Sequence, residues 1–224
     1  MLAPAPRLAA TANRRGLVPS LARIVAGGAL YGAALGSWHG PRLALYTALK
    51  LPLLLVATAL ATAAFQGLIG RALGLRLGAG AALRLSLRGY ATTALLLGSL
   101  APVALLFVAS APPPGTDGRT AHNLLYLTHT SLVAACGLAG LATLRRELGA
   151  AAPSRRAARI ALVAWVTASA LVGGELAWAL RPFVGSVYEP VAFLRIDALD
   201  GNVYEFVWTD ILPHLAGNDP GERR

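Results

Sequence analysis

The chain has 224 residues, of which 56% are apolar and only 13% charged, with a formal net charge of +10. That is too apolar for an ordinary soluble domain, in which roughly a quarter of residues are charged. Its single cysteine, Cys136, excludes an internal disulfide and a thiolate metal cluster, and within an apolar run it reads as a small buried hydrophobe.

Nineteen of the twenty basic residues are Arg, the exception being Lys50, and the Ala, Gly and Leu content fits coding from a GC-rich bacterial genome. Charge divides along the chain. Residues 1–159 carry 16 basic and 2 acidic side chains, whereas residues 160–224 carry 4 basic and 8 acidic ones. This asymmetry places the two ends in different compartments.

Residues 1–19 are rich in Ala, Pro and Arg, lack helical periodicity and read as a mobile basic tail. With no clear small-residue cleavage site after it, the next apolar stretch stays in the mature chain. Residues 24–38 form a short first span in which Gly28, Gly32 and Gly36 fall four apart. They share one helix face, where another backbone can approach closely. The second span, 43–70, exceeds one crossing, so the part before Pro52, carrying Lys50, is expected to be an interfacial helical turn. The third span, 90–110, contains Pro102 as an expected kink and ends before "PPPGTDG". The fourth is 122–144 and the fifth 160–180, closed by Arg181-Pro182. There the arginine is expected to snorkel to the interface while the proline stops the helix.

The loops set the orientation. Arg71, Arg76, Arg84 and Arg88 follow the second span, and Arg145, Arg146, Arg155, Arg156 and Arg159 follow the fourth, whereas 111–120 has only Arg119 and Asp117. Positive-inside bias puts the two arginine-rich loops in the cytoplasm, and five spans then give an N-terminus inside and a C-terminus outside. Arg84, Arg88, Arg145, Arg146, Arg155 and Arg156 are therefore topology determinants or anionic-lipid contacts. In the acidic segment 183–224, Asn202, Glu205 and Pro213 bracket a short amphipathic helix at 203–212, lying on the outer leaflet or against the bundle. The fold class predicted is all-α: a polytopic membrane bundle of five transmembrane helices with this C-terminal amphipathic helix.

Motifs for chemistry are sparse. The chain has no P-loop, H-E-x-x-H, C-x-x-C or strand-linked G-x-G-x-x-G, and Ser99 beside Gly98 lacks the second glycine of a nucleophile elbow. "DALDG" lacks the oxygen spacing of an EF-hand, and it lacks the Ala-Arg and further aspartates of phosphatidyl-alcohol transferases, so it reads as a turn and cap. What remains is intramembrane polarity, which is costly unless paired. His122, Tyr126 and His129 share a face of the fourth span, and Glu175 lies in the outer half of the fifth at a depth similar to His129. A Glu175–His129 hydrogen bond would serve a proton relay, a headgroup site or helix packing. Haem ligation wants histidines from facing helices, and His39 and His214 lie near or beyond the surface, so no cofactor or metal is expected.

"RGYATTALLLGSLAP" (88–102) resembles the Gly-Tyr and later Pro of the central spans of Yip1-type membrane proteins, as does the five-span plan. That family's Asp-Leu-Tyr-Gly-Pro element reduces here to Leu30-Tyr31-Gly32. The resemblance implies a non-enzymatic organiser. The readings are, first, a non-enzymatic bacterial inner-membrane protein that packs with itself or a membrane partner through the glycine-lined first span. The second is a small transporter or proton conduit using Glu175 and His129. The third is a membrane-embedded lipid-modifying enzyme. The bilayer is the expected partner, and nucleic acid is not.

Overall fold

The computed structural model describes residues 16–75, 77–114, 119–185, 190–206 and 208–209. Most of the expected tail (1–15), Arg76, His214 and the end of the amphipathic helix (210–212) lie outside them. The described chain is helical: α1 (Leu17–Gly36), a 3-10 turn (Ser37–His39), α2 (Pro41–Ala72), α3 (Ala79–Ser110), α4 (Arg119–Ala151), α5 (Arg155–Ala179) and a short α6 (Val203–Phe206). The first five are each long and apolar enough to cross a membrane. The protein is a multi-pass membrane bundle of five antiparallel spans.

Helix ends follow local chemistry. Gly40, at φ 104°, takes the left-handed step between the 3-10 turn and α2, and Pro41 fills the first helical position, where its missing N–H costs nothing. Ser154 caps α5 by accepting from the Ala157 N–H at 3.1 Å. Asn202 caps α6, its Oδ1 accepting from the Glu205 N–H at 2.8 Å, while the Glu205 carboxylate accepts from the Asn202 side-chain amide at 3.4 Å. Pro52 and Pro102 both lie inside continuous helices.

Several sequence expectations need correcting. The tail ends earlier than residue 19, because α1 starts at Leu17 and Leu17 and Leu21 pack beside Ile24 and Leu87. The arginine-rich loops are mostly helix: Arg71, Arg84, Arg88, Arg145 and Arg146 ride on helix ends, and α4 and α5 are joined by only Ala152–Ser154. The Ala- and Leu-rich ends propagate the helices past the hydrocarbon layer, because Leu77, Ala82 and Leu148 are buried there against Trp165. At about 1.5 Å per residue, α2 and α3 each extend about 48 Å, against about 30 Å of hydrocarbon.

In the layout, α1 packs on α2 and α3; α3 also carries α4, and α2 also carries α5. Burial is greatest in α1 and α2 and least in α5. The contact between α1 and α2 uses the glycine ladder. A Cβ at Gly28 would press on Pro52, one at Gly32 on the Thr47 carbonyl, and one at Gly36 would stand 2.6 Å from the Leu43 carbonyl oxygen. The ladder is thus filled from within the chain, contrary to the expectation that a partner would use it. Gly27, one position round, meets Ala94 and Gly98 of α3, so α1 approaches both neighbours at backbone distance.

Candidate functional site

The interior is polar along one face of α2. Thr47, Lys50, Thr58, Thr62 and Gln66 are all buried, at 3% exposure or less. The three threonines each donate to a carbonyl four residues earlier, which satisfies their hydroxyls within the helix. The other two side chains reach across helices.

Gln66 joins three helices. Its Oε1 accepts from Ser86 of α3 at 2.8 Å, its Nε2 donates to Ser169 of α5 at 3.2 Å, and its backbone carbonyl accepts from Trp165 Nε1 at 3.1 Å. An amide has the donors and acceptors to serve both serines at once. Trp165 is fully buried beneath Leu148 and Ala161, so this junction also anchors the arginine-rich end.

Lys50 lies at the opposite end and has no exposure. Rather than standing exposed on a turn, it is covered by residues that follow α5. Its Nζ donates to the Pro182 carbonyl at 2.9 Å and sits 5.2 Å from the Phe193 ring and 5.9 Å from the Phe183 ring. A carbonyl and two ring faces are the groups that accommodate a cation with no carboxylate at hand. Thr47 shares its hydroxyl proton between the Leu43 and Phe183 carbonyls, each at 3.0 Å, so α2 holds residues 182–183 at two points.

Arg181 does not snorkel. It folds over the Trp178 ring at 3.8 Å and donates to the Asp197 carbonyl at 2.9 Å and to its carboxylate at 3.3 Å. Arg195 grips the same carboxylate at 2.8 and 3.1 Å. Hydrogen bonds from Arg195 first, and from Arg181, hold the Asp197 carboxyl below the usual carboxylate range.

The predicted polar pair is not formed. His129 is buried and faces α1, with Nδ1 2.9 Å from the Tyr31 hydroxyl; its Nε2 has no partner. Glu175, half-buried on α5, lies on the side covered by α6, where Tyr204 donates to the Leu171 carbonyl at 2.6 Å and rests on Gly174. Burial first, and the neighbouring Glu175 second, push the Tyr204 phenol up from its ordinary value. The separation has a packing cause. In its N-terminal half α4 packs Leu125 and Leu132 with residues of α1 and α3, whereas α5 lays Gly173 against Thr58 of α2.

His122 and Tyr126 remain together as the spacing predicted, with ring centroids 6.4 Å apart, while His122 leans on Trp38 at 5.8 Å. Trp38 in turn donates to the Pro112 carbonyl at 2.9 Å, which ties the 3-10 turn to the end of α3. Tyr126 itself is 60% exposed. Of the arginines, Arg88 is not a free lipid contact, because it pairs with Glu147 at 3.3 Å and links α3 to α4. Arg84 is half-buried, while Arg145, Arg146, Arg155 and Arg156 are exposed.

Tyr31, Gln66, Ser86, Ser169 and Trp165 were not singled out from the sequence. The available signal was the polar stripe Thr58, Thr62, Gln66 at four-residue spacing within the most apolar run, which places three polar groups on one face.

The fold and its interior define a five-span helical membrane protein held together by side-chain hydrogen bonds between spans. No protein-family model, curated protein or solved structure matches the chain.

Proposed function

We propose that the chain is a non-enzymatic integral protein of the bacterial inner membrane, acting as a membrane organiser or a subunit of a membrane complex. Its N-terminus is cytoplasmic and its C-terminus extracytoplasmic. The observation that carries this reading is how the interior polar groups are used. Gln66, Ser86, Ser169, Tyr31, His129 and Lys50 each bond across to another helix or to Pro182. Polar groups arranged in this way bolt spans together. Orientation rests on charge: the end bearing Arg84, Arg88, Arg145, Arg146, Arg155 and Arg156 carries Glu147 as the acidic residue of its described part. The Yip1-type resemblance of the five-span plan points the same way.

With the glycine ladder occupied by α2, a partner meets the less buried α4 and α5. Photo-crosslinking in native membranes from positions 130 and 167, both exposed at span depth, tests this. A discrete crosslinked species is expected. Pure monomer in membranes, together with a pH-dependent flux in proteoliposomes abolished by Glu175→Gln, would overturn the reading in favour of a conduit. Labelling of single cysteines at the two ends checks orientation, and both ends on one side would refute it.

A further inference from the structure

Two hollows adjoin on the outer surface of the α4–α5 hairpin. One, of about 430 Å³, is lined by Arg145, Arg155, Arg159 and Leu162, among others. The second, of about 580 Å³, is lined by Arg156, Arg159, Ile160, Val163 and Ala164. Arg159 belongs to both. The first is a cationic cleft, and the second is an open, shallow apolar channel with arginines at its mouth.

The charge in this cleft is not compensated from within. Among the described residues, no carboxylate lies within ion-pair distance of Arg145, Arg155, Arg156 or Arg159, and Glu147 is engaged by Arg88 on another face. The cleft also lies at the start of α5, whose Ala157 N–H is capped by Ser154 and whose positive dipole end favours an anion. From Arg155 to Val163 the helix rises about 12 Å, so the apolar channel runs from the headgroup level into the hydrocarbon. Ile160 and Val163 are 45% and 65% exposed, and in a bilayer that face lies against acyl chains.

We infer that this hairpin is a binding site for one anionic phospholipid, with its phosphate on Arg145, Arg155 and Arg159 and an acyl chain along Ile160 and Val163. The headgroup charge supplies the missing counterion. The channel supplies a reason to prefer a lipid over a free phosphate ester. Arginine's fork geometry suits two-point contact with phosphate oxygens.

The test is native mass spectrometry of the full chain in mild detergent, titrated separately with phosphatidylglycerol, phosphatidylcholine and glycerol phosphate. Wild type should retain one phosphatidylglycerol in preference to phosphatidylcholine and should not retain glycerol phosphate. Replacing Arg145, Arg155 and Arg159 together by Gln should weaken phosphatidylglycerol binding roughly 100-fold, since each basic residue near an anionic lipid contributes about a fivefold factor. Arg71→Gln, on exposed surface of α2 outside both hollows, should leave it unchanged. Val163→Trp, which fills the channel, should reduce lipid retention with all arginines present. If the triple variant does not purify, Arg159→Gln and Val163→Trp carry the same test. Retention of phosphatidylglycerol by these variants at wild-type affinity would overturn the site. Equal binding of glycerol phosphate and lipid would overturn the lipid assignment in favour of a soluble phosphate ester.

Discussion

Replacing Gly32 by Leu tests whether the glycine ladder builds the fold or an oligomer. Even the first atom of a new side chain, a Cβ, would overlap the Thr47 carbonyl oxygen and stand 2.8 Å from its carbon. Both are backbone atoms inside α2 and cannot rotate away. Relief requires α1 and α2 to part by on the order of 1 Å over the turns joining Gly28 to Gly36. A gap of that size forfeits a quarter to a half of the dispersion well for each facing pair of atoms. Overpacking of this kind costs about 1–3 kcal/mol, so Gly32→Ala should lose about 2 kcal/mol and Gly32→Leu about 3 kcal/mol or more. Gly137, on α4, has no heavy atom within 4 Å of a built Cβ, so Gly137→Ala is the matched control and should be neutral or slightly stabilising. Unfolding in bicelles, followed by the fluorescence of the four tryptophans, measures the loss, and light scattering gives the mass. The reasoning is refuted if Gly32→Leu unfolds like wild type while a defined oligomer falls apart.

Three further outcomes are expected. Gln66→Leu should destabilise the bundle by about 1–2 kcal/mol, because two interhelical side-chain bonds are lost and such bonds average about 0.6 kcal/mol in membranes; a change below about 0.3 kcal/mol would remove Gln66 from its bracing role. The turn at Asp197, tied to Arg181 and Arg195, should loosen in acid. Its carboxyl pKa is depressed in the folded chain, so its stabilisation is complete above the ordinary carboxylate value of about 4 and is lost as pH falls through the lower folded value. Hydrogen exchange of residues 190–200, followed as the pH is lowered stepwise from about 6 to below about 4, should show protection falling, and Asp197→Asn should give the loosened pattern throughout. Ultraviolet titration of Tyr204 in the Glu175→Gln variant should move its phenol only part of the way back towards normal, because burial outweighs the carboxylate. No movement at all would place Glu175 away from Tyr204.

Much of the fold was legible in the sequence. The apolar runs set the number and order of spans, since a membrane-crossing segment must satisfy its backbone internally and only a helix of about 20 apolar residues does so. Asn202 announced its N-cap on Glu205 because that geometry is local. Gly28, Gly32 and Gly36 announced a close helix contact because spacing of four defines a face. Their partner was not legible, since a small-residue face fits any apposed backbone, and only the assembled bundle shows it to be α2.

The polar groups mark the limit most clearly. By itself the sequence determined which side chains sit on which face of which helix, and at about what depth. On that footing His129 and Glu175 looked like partners. Tertiary structure decided otherwise: it gave His129 to Tyr31, set Glu175 beside Tyr204, and brought Pro182, Phe183 and Phe193 around Lys50. The physical reason is that depth is a one-dimensional property, set by hydropathy and helical rise. Pairing depends on rotation about each helix axis and on which helices touch, and those are set by interlocking contacts such as Gly27 against Gly98 and Leu148 against Trp165.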